Sequence, residues 1–175
     1  MIIKGKALVM GDNINTDVLH PSRFFSLDNG TVRAGFLQAA EGYEQVGRSD
    51  LSNRIVIAGD NFGCGSSRET GARVFLLAGI RAIVARSLAR IFSRNLRNLG
   101  LVALECPTLA ALPDVDSEVE INLETWSLEI GSHGQPLRLT PLDPYWRAVM
   151  LAGGLVPFIQ KDQTAHRKMN DVRQP

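Results

Sequence analysis

Within seven residues, Gly63-Cys-Gly-Ser-Ser-Arg-Glu69 brings together a thiol, two hydroxyls, a guanidinium and a carboxylate, between a β-branched run and an apolar helical pattern. Glycines on both sides of Cys64 let backbone approach a bound group closely, a helix N-terminus turns free amides toward anions, and the planar fork of Arg68 suits a carboxylate. The chemistry this favours is the binding of a small carboxylic acid. Ser66 and Glu69 also stand at the S-x-x-E spacing of a capping box, a structural use of the same residues. For Ser66 to act as a base its hydroxyl has to lose a proton, and a helix terminus, at roughly 0.3–2 kcal/mol, lowers a pKa by only about one unit. Arg68, and a metal or cluster supplied by another chain, are the remaining sources of stabilisation. No Gly-Lys-Ser/Thr follows the glycines, which excludes a Walker-type phosphate loop, and the G-x-S-x-G elbow of serine hydrolases is missing. The three histidines, His20, His133 and His166, stand in no triad context and read as surface or loop residues rather than bases.

The elements that must position these groups follow from hydrophobic patterning. An apolar run over residues 2–10 reads as a strand ending at Gly11-Asp12-Asn13, and the loop Asp12-Asn-Ile-Asn-Thr-Asp17 that follows it, dense in turn formers, closes at His20-Pro21. Residues 22–50 are weakly patterned, with a short helix expected around 32–40. Arg54-Ile-Val-Ile-Ala58 predicts a buried strand that stops at Gly59-Asp60, and Ala72, Val74, Phe75, Leu76, Leu77, Ala78 and Ile80 a largely apolar helix ending at Gly79. A strand over 81–86 leads to a helix over 88–99, with Leu88, Ile91, Phe92, Leu96 and Leu99 on one face and Arg90, Arg94 and Arg97 mostly on another. Gly100 stops it, and a strand over 101–105 completes strand–helix–strand–helix–strand, the signature of a parallel sheet with right-handed crossovers. Beyond Pro107 the period changes to two, in Glu118-Val-Glu-Ile-Asn-Leu-Glu, Ser127-Leu-Glu-Ile130 and Leu137-Arg-Leu139, which predicts half-buried antiparallel strands. Asp143-Pro144 opens a last helix through Leu151, closed by Gly153-Gly154. Residues 1–160 thus read as one domain and 161–175 as a polar tail.

With 175 residues, 45% hydrophobic and 21% charged, the chain is long enough to bury its own core. A net charge of +1 gives no broad cationic field and argues against nucleic acid as a partner. No apolar stretch reaches the ~18–20 residues of a membrane span, and the N-terminus lacks the pattern of a signal peptide. Cys64 and Cys106 belong to no C-x-x-C pair and to no zinc-like spacing, so no metal site is expected in this chain and it cannot build a four-thiolate cluster alone. Their settings suggest reduced thiols in a cytoplasmic protein.

Four blocks carry a specific resemblance. Asp12-Asn-Ile-Asn-Thr-Asp-Val-Leu-His-Pro21, Gly59-Asp-Asn-Phe-Gly-Cys-Gly-Ser-Ser-Arg-Glu69, Ser87-Leu-Ala-Arg-Ile-Phe-Ser-Arg-Asn95 and Ala152-Gly-Gly-Leu155 resemble, in order and spacing, the small subunits of 3-isopropylmalate dehydratase, the swivel domain of the aconitase superfamily. The resemblance implies an α/β fold of the swivelling β/β/α kind, a parallel sheet core with flanking helices and additional antiparallel strands. It implies a heterodimer with a large subunit carrying a [4Fe–4S] cluster, and isomerisation of a 2-hydroxy di- or tricarboxylic acid by dehydration and rehydration. Leucine biosynthesis is the pathway if the acid is isopropylmalate. By motif, Ser66 matches the serine whose alkoxide takes the carbon-bound proton. Ser67 and Arg68 match residues that hold a substrate carboxylate, and Thr16 and Asp17 the Thr-Asp beside the active site.

The chain departs from the family's pattern where the substrate's variable group would be read. The loop after Pro21 runs Arg23-Phe24-Phe25-Ser26-Leu27, with no arginine at Ser26 and with Arg23 three residues earlier. Its apolar content favours an alkylmalate, isopropylmalate or a dimethylmalate, over a tricarboxylate; citramalate, homoaconitate and noncatalytic carboxylate binding are the alternatives. Thr70-Gly71-Ala72-Arg73 also departs from the usual first helical turn. Arg90, Arg94 and Asn95 read as a solvated helix face or part of a subunit contact.

Overall fold

The computed structural model describes residues 1–131 and 135–161. Strand β1, Ile2–Met10, is followed by short helices α1, Thr16–Leu19, α2, Asn29–Ala34, and α3, Glu44–Arg48, with a 3₁₀ turn at Ser22–Phe24. Then come β2, Arg54–Ala58, α4, Thr70–Leu77, β3, Ala82–Ala85, α5, Arg90–Asn98, and β4, Val102–Glu105. The last part contributes β5, Glu118–Asn122, β6, Ser127–Ile130, β7, Leu137–Arg138, and α6, Pro144–Ala152. A further helical stretch covers 155–161, where the patterning predicts none. Residues 162–175, with His166, and residues 132–134, with His133, lie outside the described residues.

One seven-stranded sheet runs in the order β4-β3-β2-β1-β5-β6-β7. The strands β1 to β4 are parallel and β5 to β7 are added antiparallel, with Ile3 opposite Ile121 where the two halves join. Thr140 N–H donates to the Glu105 carbonyl at 2.8 Å, so the chain leaving β7 meets the end of the opposite edge strand and the sheet is curled. Of the parallel strands, β2, β3 and β4 are buried on both faces, whereas β1 alternates between buried and exposed residues over its first half. Val56, Ala58, Ile83, Ala85 and Ala103 face one core with Val32, Ala72, Phe75, Phe92 and Leu96 of the helices. Ile55, Ile57, Val84 and Leu104 face the other, with Val119, Ile121, Leu128 and Leu139 of the antiparallel part and Met150 of α6. Every parallel connection steps the same way along the sheet, so the right-handed rule puts α2, α4 and α5 on one face only. The antiparallel strands and α6 cover the second face.

Local chemistry accounts for the element ends. Asp143 caps α6 through its side chain at Trp146 N, with Pro144 at the first position and Gly153 left-handed after the end, as patterned. Gly153 and Gly154 do more than cap: a Cβ on Gly100 would lie 2.4 Å from the Gly153 carbonyl carbon, so the end of α5 touches the end of α6 backbone to backbone. The helix expected around 32–40 instead starts earlier, because the Asp28 carboxylate accepts from Thr31 N at 2.7 Å, and ends at Ala34. Ile91, expected on the buried face of α5, is 45% exposed, while Phe92 and Leu96 are buried. In a nine-residue helix that buries so narrow a stripe, position 91 falls outside it.

Under the second strand-end turn, Phe36, Phe62, Phe75 and Phe92 pack edge to face at 4.9–6.2 Å. Gly63 is part of that packing. With φ +80° and only 2.0 Å between its ideal Cβ and Phe92 Cδ1, it admits no side chain. We expect Gly63→Ala to cost about 3 kcal/mol or more from left-handed strain and overpacking together. Gly131→Ala, at φ +71° with nothing among the described residues within 4 Å of its Cβ, is expected to cost only about 1 kcal/mol. Urea unfolding of the two variants measures the difference.

Candidate active site

The two polar loops of the sequence meet at the C-terminal ends of β1 and β2, the position at which parallel sheets place ligands. Both strands end in the same tripeptide, Gly11-Asp12-Asn13 and Gly59-Asp60-Asn61, and both asparagines adopt positive φ, +53° and +52°. Asn61 Nδ2 donates to Asn13 Oδ1 at 3.1 Å, Asp60 N–H to the Asp12 carboxylate at 2.8 Å, and Asn13 N–H to the Asp60 carbonyl at 2.7 Å. Arg86, at the end of β3, closes the group by pairing with Asp60 and with Asp12 at 3.6 Å. From there the loops zip together. Gly63 N–H donates to the Ile14 carbonyl, and Thr16 N–H to the Cys64 carbonyl at 2.8 Å.

Thr16 is the next tooth of the zip. It is 2% exposed, and its Oγ1 accepts from Ser66 N at 2.8 Å while its hydroxyl hydrogen points at the Ser66 carbonyl, 3.4 Å away. Its side chain is therefore engaged in holding Ser66, and Asp17 beside it is exposed, its amide held by the Asn15 side chain. Ser66 is half-buried, whereas Ser67 and Arg68 are exposed. Ser66 Oγ accepts from the Arg68 amide at 3.3 Å.

The capping box expected of Ser66 and Glu69 is not formed. Helix α4 begins at Thr70, Glu69 is the residue before it, and its carboxylate turns to Arg73, 3.6 Å away. Gly65, at φ +99°, and the bond to Thr16 hold Ser66 in a separate turn upstream of the helix. Helix-terminal stabilisation thus belongs to Thr70 and its neighbours, and the donor that reaches Ser66 Oγ is the Arg68 amide. The glycines around Cys64 also serve differently than expected. They admit protein rather than ligand, Gly63 against Phe92 and Gly65 against Asn15, whose Oδ1 lies 2.4 Å from an ideal Cβ.

The loop after Pro21 is brought onto this site. Arg68 Cζ sits 4.1 Å from the centre of the Phe25 ring, and Phe25 stacks on His20 at 5.6 Å and 19°. Arg23 lies over Phe24 at 4.9 Å. The Ser26 carbonyl accepts from Arg73 Nη2 at 2.7 Å, which ties the loop to α4 through one of the residues that departs from the family pattern. Leu27 is 94% exposed. His20 is not a surface residue: it is 1% exposed, and its Nε2–H donates to the Val32 carbonyl at 3.1 Å. Burial pushes its pKa below the ordinary 6.5, against the opposing pull of the Val32 bond, and Arg73 lowers it further.

Sequence reasoning missed two supports. Asn95 of α5 donates from Nδ2 to the Ser67 carbonyl at 3.1 Å, and Asn61 N–H donates to Ser87 Oγ at 2.8 Å. Asn95 and Ser87 both lie in the third block, so their signal was the motif, but their partners, Ser67 and Asn61, are 28 and 26 residues away. A cleft of about 730 Å³, lined by Arg90, Ile91, Arg94, Arg97, Glu105 and Trp146, includes none of the site residues. The Ser66 loop itself is open surface.

Residues 10–109 match the family model of the aconitase C-terminal domain, which defines the class. Over 160 residues, 91% of this chain and 96% of the relative, the chain is 36% identical to a 3-isopropylmalate dehydratase small subunit of Thermotoga maritima. It is 35% identical to the 2,3-dimethylmalate dehydratase small subunit of Eubacterium barkeri, covering 91% and 97%. A crystal structure of 3-isopropylmalate dehydratase from Methanocaldococcus jannaschii superposes with a TM-score of 0.87 at 30% identity, covering 97% of this chain and 99% of that one. The chain belongs to the small-subunit family of the 3-isopropylmalate-type dehydratases, which are hydro-lyases. Among the described residues no helix is long and apolar enough to cross a membrane.

Two outcomes follow. Thr16→Val leaves the partly buried Ser66 amide without its acceptor and is expected to cost about 1–3 kcal/mol, whereas Thr16→Ser keeps the bond and costs less; chemical denaturation distinguishes them. His20, with its folded-state pKa lowered, stays neutral while the unfolded chain takes up a proton, so its contribution is complete above about pH 6.5 and is lost as pH falls below it. Urea midpoints measured from pH 7 to 5 should fall less steeply in His20→Gln than in the parent chain.

Proposed function

We propose that this chain is the small subunit of a two-chain hydro-lyase that moves a hydroxyl between adjacent carbons of an alkyl-substituted malate, with 2-isopropylmalate and 3-isopropylmalate as the preferred pair. The observation that carries this reading is the Ser66–Arg68 loop: a half-buried hydroxyl on a turn pinned by Thr16 beside an exposed guanidinium laid on Phe25, half of a site that needs a second surface to exclude water. Ser66 takes the carbon-bound proton, with the Arg68 amide and charge favouring its oxyanion. Arg68 and Ser67 hold a substrate carboxylate. Thr16 acts through Ser66 as a positioning residue, and Asp17 flanks the same edge.

The [4Fe–4S] cluster implied by the family has no ligand set here. Among the described residues no three His, Cys, Asp or Glu side chains gather as a metal site, and Cys64 and Cys106 are free thiols. The cluster is assigned to the large partner subunit. The free thiols also support a reducing, cytoplasmic compartment.

An alkyl substituent is favoured because Leu27 is 94% exposed and the guanidinium of Arg23, itself an exposed residue, is laid on Phe24. The relative from Eubacterium barkeri is named for 2,3-dimethylmalate and is as similar as those named for isopropylmalate, which keeps dimethylmalate as a second reading.

Anaerobic reconstitution with the cognate large subunit tests the proposal through initial rates on isopropylmalate, 2,3-dimethylmalate, citramalate and homocitrate. Turnover should require both chains and favour an alkylmalate. Ser66→Ala should assemble normally and lose about 10²–10⁴-fold in kcat. Full activity in that variant would overturn the assignment of Ser66, and a verified complex without turnover of any acid would point to noncatalytic carboxylate binding.

A further inference from the structure

We propose that Phe25 is a positioning residue for Arg68, so that the loop reading the substrate's variable group also sets the guanidinium that anchors its carboxylate. The proposal rests on the reading of Arg68 as a carboxylate binder. Arg68 is exposed, and among the described residues its guanidinium makes no hydrogen bond or ion pair; its contact is the face of Phe25, 4.1 Å from the ring centre. Other guanidiniums at this end are committed to protein acceptors, Arg86 to Asp60 and Asp12, and Arg73 to Glu69 and the Ser26 carbonyl. A cation over a ring is attracted through the ring's face and keeps its N–H donors for other partners. Arg68 is therefore oriented without being consumed, and its five donors remain available to a carboxylate.

Phe25 can serve as a platform because it is itself fixed. Its ring stacks on buried His20, which is held by the Val32 carbonyl. Gly35 makes room for the arrangement, since a Cβ there would lie 2.5 Å from Phe24 Cβ and 2.9 Å from His20 Cδ2. On the other side of Phe25 the Ser26 carbonyl is tied to Arg73. A long arginine side chain confined this way loses less rotamer freedom when it binds, which lowers the cost of capturing the substrate. The ring face engaged with Arg68 is also not offered to an alkyl group. Phe25 should then affect every substrate alike, and discrimination between substituents should fall to Leu27.

The test uses the reconstituted two-chain enzyme and, separately, the chain alone. Phe25→Leu should raise KM by about 3- to 30-fold, the strength of a cation–π contact expressed as affinity, with little change in kcat and by the same factor for isopropylmalate and 2,3-dimethylmalate. Phe25→Tyr should restore the parent KM, and Phe25→Leu should add nothing in an Arg68→Gln background. Leu27→Ala should alter the ratio between the two acids. In the chain alone, NMR should show the Arg68 δ-methylene protons shifted upfield by the ring in the parent and Phe25→Tyr forms, and not in Phe25→Leu. A substrate-dependent change in Phe25→Leu, multiplicative losses with Arg68→Gln, or unshifted Arg68 protons in the parent would each overturn the proposal. If Ser66→Ala instead kept full activity while the NMR shift was present, the catalytic reading would fail and the stack would stand.

Discussion

The hydrogen bond between the Thr16 hydroxyl and the Ser66 amide joins two segments fifty residues apart, and the functional end of the molecule depends on it. Ser66 belongs to no helix and no strand. Its turn contains two glycines at positive φ, and without an external anchor such a backbone samples many conformations. The anchor is the first loop, whose own shape is set by Asn15 capping α1 and by the asparagine–aspartate lattice at the strand ends. Each bond is modest alone, about 1 kcal/mol, but together they fix the turn that carries the half-buried Ser66 hydroxyl.

Rigidity beneath that loop comes from the aromatic core. Four phenylalanines from four separate segments meet edge to face, and Phe62 and Gly63 carry the site turn directly on them. The parallel half of the sheet supplies this platform because all its helices lie on one face, and the curled antiparallel half seals the other. The result is a packed body whose candidate site residues sit on one rim rather than in an enclosed pocket. Such a rim is useful to a subunit that completes its site against another chain.

The strand–helix–strand core from Arg54 to Glu105 was legible because its strands are short β-branched runs bounded by Gly59, Gly79 and Gly100 and buried on both faces. The antiparallel strands were legible by their period of two. Residues 22–50 were not, since their helices are only five or six residues long and are fixed by the Asp28 cap and by contacts to α4 rather than by amphipathic pattern. At the candidate site, the residue types of Ser66, Ser67 and Arg68 singled out the loop, yet the S-x-x-E spacing misled, because the competing bond to Thr16 is nonlocal. The burial of His20, the stack of Arg68 on Phe25 and the grip of Asn95 on Ser67 are likewise tertiary facts. No local periodicity encodes them.

The placement of β1 has a consequence for how the chain reaches this state. β1 is the seam of the sheet, paired on one side with β2 and on the other with β5, where Ile2 stands opposite Asn122. One edge of β1 therefore stays bare until the segment of just over a hundred residues between Met10 and Glu118 has brought β5 to it, and closing so long a loop is slow compared with forming the local helices. During that interval the exposed ladder of β1 is open to pairing with other chains. Lys4 and Lys6, both exposed in the folded sheet, put charge on that waiting strand, the type of residue that discourages pairing with other chains along an apolar strand.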